Sequence, residues 1–136
     1  MQFLIETDVL KEYLIAPNGE QTLLRKALAT GVCYTTMLNA LELFRSCKTK
    51  AETDAVLQML MVVRVLGFNA RYGQTFAELA NEIETGSSIT LNHRESMIVG
   101  MAKASKLTIV TNEYYQRYIT ANAAQVVRSV EEVPIV

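Results

Sequence analysis

Short apolar runs alternate with longer segments of helical period along almost the whole chain, and this rhythm constrains the fold most. Phe3-Leu4-Ile5, Val32-Cys33-Tyr34-Thr35 and Leu107–Thr111 are brief runs suited to buried strands. Two further runs, Val62–Phe68 and Gln125–Val130, read the same way at the strand ends of the pattern. Between them lie segments with apolar residues three and four apart. The periodicity predicts helices over 8–14, from about Leu23 to Thr30, over 37–47, from Lys50 to Met61, over 71–85, from Asn92 to Ser105 and over 113–120. Pro17-Asn18-Gly19 is a turn, and Gly31 and Gly86 stand just past helix ends. Strands that alternate with helices form a parallel sheet covered on both faces, so the expected fold is a three-layer α/β/α sandwich with a mainly parallel central sheet.

At 136 residues the chain suits one domain over 1–136. Half its residues are apolar and 20% are charged, a balance that supports a packed core and excludes a disordered polar chain. The net charge of −1 lacks the basic footprint of a duplex-DNA reader. Cys33 and Cys47 are too few and too far apart for a disulfide framework or a CxxC site, and they read as small thiols in a reducing compartment. His93 is the only histidine, which removes HExxH-type zinc sites. Glu6, Asp8 and Lys11 interrupt the first apolar residues, so no signal-peptide core is present there. Gln58 and Arg64 break the longest apolar stretch, which rules out a membrane span and makes the expected location cytoplasmic. Val62, Val63, Val65, Met59 and Met61 in that stretch read first as core, with some left for a subunit interface.

In a parallel sheet, ligands bind beyond the carboxyl ends of the strands. Acids collect there. Glu6 and Asp8 end the first strand, Glu42 lies in the helix after the second, Glu95 opens the helix of 92–105, and Glu113 follows the strand 107–111. Converging carboxylates repel unless cations neutralise them, and oxygen donors without His or Cys favour Mg²⁺ or Mn²⁺. Each acid also has a plain structural role open to it. Asp8 suits a helix cap, Asn92-x-x-Glu95 a capping box, and Glu113 the first turn of a helix. Arg45 is placed to pair with Glu42 on a helix surface.

The residues around these acids resemble PIN-domain ribonucleases, in particular VapC-like toxins of type II toxin–antitoxin systems. FLIETDVLKEYL is similar to the family's opening motif, TTMLNALELFRSC to its second, and ESMIVGMAKASKLTIVTNEYY to its third, in order over about residues 1–120. The resemblance implies a PIN fold and a Mg²⁺- or Mn²⁺-dependent endoribonuclease. It also implies a homodimer neutralised by a cognate antitoxin whose tail blocks the acidic pocket. By position, Glu6, Glu42, Glu95 and Glu113 take the four catalytic acidic places, with Asp8 as a further metal ligand. Thr7, Thr111 and Asn112 take supporting places. Glu6, Glu95 and Glu113 stand where the family usually has Asp, and their longer arms alter a cage that Mg²⁺ holds to near-octahedral geometry.

On this reading a metal-bound water attacks an RNA phosphodiester, without a histidine base. Arg45, Lys48 and Arg94, and beyond them Lys50 and Lys103, are candidate phosphate contacts. Setting aside the five acids carries the net charge from −1 to +4, a mildly basic body around an acidic pit. Two rivals stand beside it. One is a PIN-like module that binds RNA or protein without cleaving. The other is a phosphatase of the haloacid dehalogenase type with Asp8 as nucleophile, which the Leu10 at its second Asp position disfavours.

Overall fold

A computed structural model describes residues 1–122 and 124–132. Five strands form one sheet: β1 (Gln2–Ile5), β2 (Val32–Thr36), β3 (Arg64–Leu66), β4 (Thr108–Val110) and β5 (Val126–Val127). Their order is β3-β2-β1-β4-β5, and every neighbouring pair is parallel. Seven helices are described: α1 (Thr7–Ile15), α2 (Leu23–Thr30), α3 (Met37–Ser46), α4 (Lys50–Met59), α5 (Ala70–Gly86), α6 (His93–Ser105) and α7 (Tyr115–Ala121).

The two-residue period of the strands divides the core into two layers. Phe3, Ile5, Cys33, Val110 and Val127 face one side and pack with Val9 and Leu10 of α1, Leu24 of α2, Leu43 of α3 and Met59 of α4. Leu4, Ile109 and Val126 face the other and pack with Phe76 of α5, Ile98 and Met101 of α6 and Tyr118 of α7. This is the expected α/β/α sandwich, with a wholly parallel sheet. Chain order turns back at β1, which pairs with β2 on one side and β4 on the other. Crossovers in such sheets are right-handed, so the reversal puts α1–α4 and α5–α7 on opposite faces. It also opens a crevice at the carboxyl ends of β1 and β4, where Glu6 and Thr111 lie.

The predicted elements are all present, and several are shorter than their sequence patterns. The expected strand over Val62–Phe68 is reduced to Arg64–Leu66, because Val62 and Val63 donate back to the Met59 carbonyl (both 3.1 Å) in a turn that closes α4. The last strand stops at Val127, and a 3₁₀ turn occupies Val130–Glu132 in place of the expected extension. Helix α7 starts two residues late, for a reason that belongs to the site. Gly19 in the predicted turn has φ 84°, a backbone that glycine adopts at no steric cost. The apolar stretch is split as its mixed reading allows. Val56, Met59 and Val63 are core, while Met61 (83% exposed) and Val62, just before the edge strand β3, and Val65 within it lie on the surface.

Cys33 is buried, and burial pushes its thiol up to about 12, whereas Cys47 is only half-buried. A thiol-reactive disulfide reagent at pH 8 is therefore expected to label one cysteine in the folded protein and two in urea. Rapid labelling of both in the native state would contradict this packing. Among the described residues, no helix is long and apolar enough to cross a membrane.

Candidate functional site

Glu6 follows β1 and is fully buried, although its backbone only extends the β1–β4 pairing through a 3.1 Å bond to the Val110 carbonyl. A buried carboxylate needs partners for all its lone pairs. Glu6 has four. Its Oε1 accepts from Asn39 Nδ2 (2.7 Å) and Arg94 Nη2 (2.8 Å). Its Oε2 accepts from Arg94 Nη1 (2.9 Å) and the Tyr118 hydroxyl (2.5 Å).

Glu42, one turn along α3, turns its carboxylate to the same guanidinium. Arg94 donates from Nε to Glu42 Oε2 and from Nη2 to Oε1, both at 2.9 Å. Thr7 donates its hydroxyl to Glu42 Oε1 at 2.5 Å and accepts from Asn39 Nδ2 at 2.9 Å. Asn39 also closes a capping box with Thr36, the N-cap of α3. The amide that starts this helix thus also aims the Glu6 carboxylate. The Tyr114 ring covers the guanidinium, 4.2 Å from centroid to Cζ. One cation lies between two carboxylates.

The charge states follow from these contacts. The Arg94 hydrogen bonds, working against burial, hold the Glu42 carboxyl below the usual glutamate range. Burial opposes the charge on Arg94, but the bonds to Glu42 and Glu6 outweigh it, so the guanidinium stays charged. Burial first, and then the neighbouring Glu6 carboxylate, push the Tyr118 phenol upward, so it serves as a donor.

The other acids have separate partners. Glu95 forms the capping box expected with Asn92, and Arg117 grips its carboxylate from Nε at 2.6 Å and Nη2 at 2.7 Å. Those Arg117 bonds hold the Glu95 carboxyl below its usual range. Asp8 accepts from the Thr111 hydroxyl (2.9 Å) and from the backbone N–H groups of Asn112 (2.8 Å) and Glu113 (3.0 Å). This staple holds the chain after β4 in a turn and delays α7 to Tyr115. Glu113 is exposed, and the bond it makes here uses its backbone rather than its carboxylate.

Of the sequence candidates, then, Glu6, Thr7 and Glu42 meet in one network. Asp8, Thr111 and Asn112 form a neighbouring loop staple, Glu95 is held by Arg117, and Glu113 joins the staple only through its backbone N–H. Arg94, a candidate phosphate contact, is the centre of the site. Arg45 and Lys48 are exposed, and Lys50 pairs with Asp54 at 2.9 Å. Asn39, Tyr118 and Tyr114 were missed. Asn39 carried a signal, as a polar residue inside the apolar run Met37–Phe44.

As arranged, these residues do not fit a divalent ion. Both Glu6 oxygens are saturated by protein donors, and the guanidinium fills the space between the carboxylates. Among the described residues, no group of three or more His, Cys, Asp or Glu is placed to hold a metal.

A five-stranded parallel sandwich with a polar cluster at its switch point is the PIN-like α/β architecture. Solved structures share it. A chain of VapBC2 from Rickettsia felis, bound to a DNA fragment from its promoter, matches at TM-score 0.74 and 17% identity over 93% of this chain and 98% of that one. VapBC-1 from nontypeable Haemophilus influenzae matches at TM-score 0.73 and 13% identity, covering 97% of this chain and 100% of that one. A toxin–antitoxin complex from Klebsiella pneumoniae matches at TM-score 0.70 and 14% identity, over 93% and 96%. No protein-family model and no curated protein matches the sequence.

Proposed function

We propose that this chain is the toxin-type, PIN-like half of a two-protein toxin–antitoxin pair, and that it engages RNA along α1 and α3, which lead away from the carboxyl edge of its sheet, without hydrolysing it while Arg94 is in place. The shared fold of the VapBC chains supports the pairing. The Arg94 clamp carries the second half: a pit whose carboxylates are already matched by a guanidinium offers no cation to a phosphate. RNA contact falls to the exposed Arg45 and Lys48 and to Lys11, whose charge also reaches Glu42. Met61, Val62 and Val65, at and just before the edge strand, are where we place the homodimer contact.

The second reading is the Mg²⁺- or Mn²⁺-dependent ribonuclease, a VapC-like toxin in activity as well as fold. Its support is the carboxylate kept at all four places. One experiment separates the two. Purified, antitoxin-free protein is incubated with a mixed tRNA and rRNA pool in Mg²⁺, Mn²⁺ or EDTA, beside a Glu42→Gln variant. The expected result is salt-sensitive RNA binding, weakened by Arg45→Glu and Lys48→Glu, with no cuts in any condition. Metal-dependent cuts that disappear in Glu42→Gln would instead establish the ribonuclease.

A further inference from the structure

We propose that Arg94 is the resident cation of this site, and that its guanidinium is what excludes a divalent ion from the gap between Glu6 and Glu42.

Arg94 spends its whole fork on the site. One edge, Nε and Nη2, meets Glu42, and the other, Nη1 and Nη2, meets Glu6. The remaining Nη1 donor faces the Tyr118 oxygen at 3.4 Å, and Tyr114 covers the guanidinium face. Of the four carboxylate oxygens, only Glu42 Oε2 accepts a single bond. An ion that binds oxygen lone pairs finds none free on Glu6.

The placement of Arg94 points the same way. It lies in the first turn of α6, where the helix dipole disfavours a cation. Local helix energetics therefore oppose it, and the two carboxylates supply what holds it there. The charge balance completes the argument. A single guanidinium leaves the trio at −1, and its removal would leave −2, which one divalent ion matches. Glu95 cannot act as a substitute ligand while Arg117 holds it, nor Asp8 while it staples the loop after β4.

The test is Mn²⁺ binding by the full-length chain, read from the spectrum of the free ion by electron paramagnetic resonance. The inference rests on the same Arg94 clamp as the functional proposal, but no RNA is present, so a failure to bind RNA would leave it standing. Wild-type protein is expected to bind no Mn²⁺ at millimolar concentrations. Arg94→Met is expected to gain one site, tighter by roughly 100-fold or more, the scale of removing a buried charge partner. Adding Glu42→Gln should abolish the gain, and Arg94→Lys, which keeps the charge, should behave as wild type. If Arg94→Met does not fold in EDTA, refolding in Mn²⁺ supports the proposal, and failure in both overturns it. Wild-type binding that Glu42→Gln removes would overturn it, and so would a folded Arg94→Met chain that takes up no Mn²⁺.

Discussion

Replacing Arg94 with methionine is expected to cost about 3–5 kcal/mol of stability at pH 7, because it strands a fully buried carboxylate. Methionine keeps most of the apolar stem, so lost packing accounts for little of this. The pH dependence separates charge from packing. In the variant, Glu42 loses the Arg94 bonds that hold its carboxyl low and faces a second carboxylate without a counterion, so its folded affinity for protons rises. The penalty should then fade as pH drops from 7 toward 5. Wild type behaves in the opposite way. Its Glu42 and Glu95 carboxyls are held low by Arg94 and Arg117, so their contribution is fully present above the ordinary glutamate value of 4.5. That contribution is lost as pH falls through the depressed folded values. Urea unfolding of both proteins at pH 7 and pH 5 should show the difference between them narrow. A constant difference would mean that Arg94 acts through packing alone.

Gly100→Ala is the second large effect. Gly100 lies in α6 where α5 crosses, and a Cβ there would stand 2.4 Å from the Phe76 ring. The ring has little room to retreat. Tyr72 stacks on it at 5.0 Å and 10°, and Phe68 meets it edge-on at 6.4 Å. Alanine in place of glycine favours a helix by about 1 kcal/mol. Overpacking costs about 1–3 kcal/mol, so a net loss of up to about 2 kcal/mol is expected. Phe76→Ala, which removes the clashing Cγ and Cδ atoms, should cost less in the Gly100→Ala background than in wild type. Strict additivity of the two changes would show that the helices part rather than collide.

The fold was legible because it is written in local patterns. Leu4 between Phe3 and Ile5 already announces a strand with two buried faces, and Phe76, Ala80 and Ile83 mark the inner side of α5. The site was legible only in part. Glu6, Thr7 and Glu42 come from segments whose pattern places them at the sheet edge. Their partner is 88 residues from Glu6, and nothing local distinguishes an arginine that turns inward from one that turns to solvent. The same holds for Asp8. As a residue in the first turn of α1 it reads as a cap, yet its carboxylate serves a loop more than 100 residues away. Side-chain direction across such distances is set by packing that periodicity does not encode.

Sheet order also sets a timetable for the chain as it is made. Strands β1, β2 and β3 with α1–α4 leave the ribosome first, and they contain most of one core layer. Glu6, Thr7, Asn39 and Glu42 therefore exist together before Arg94 has been synthesised. Until α6 emerges, the half-built protein holds two neighbouring carboxylates without the guanidinium that links them, and Lys11 is the cation whose charge reaches Glu42. Arrival of the guanidinium then ties α6, and with it the second core layer, to a site already laid out by the first half of the chain.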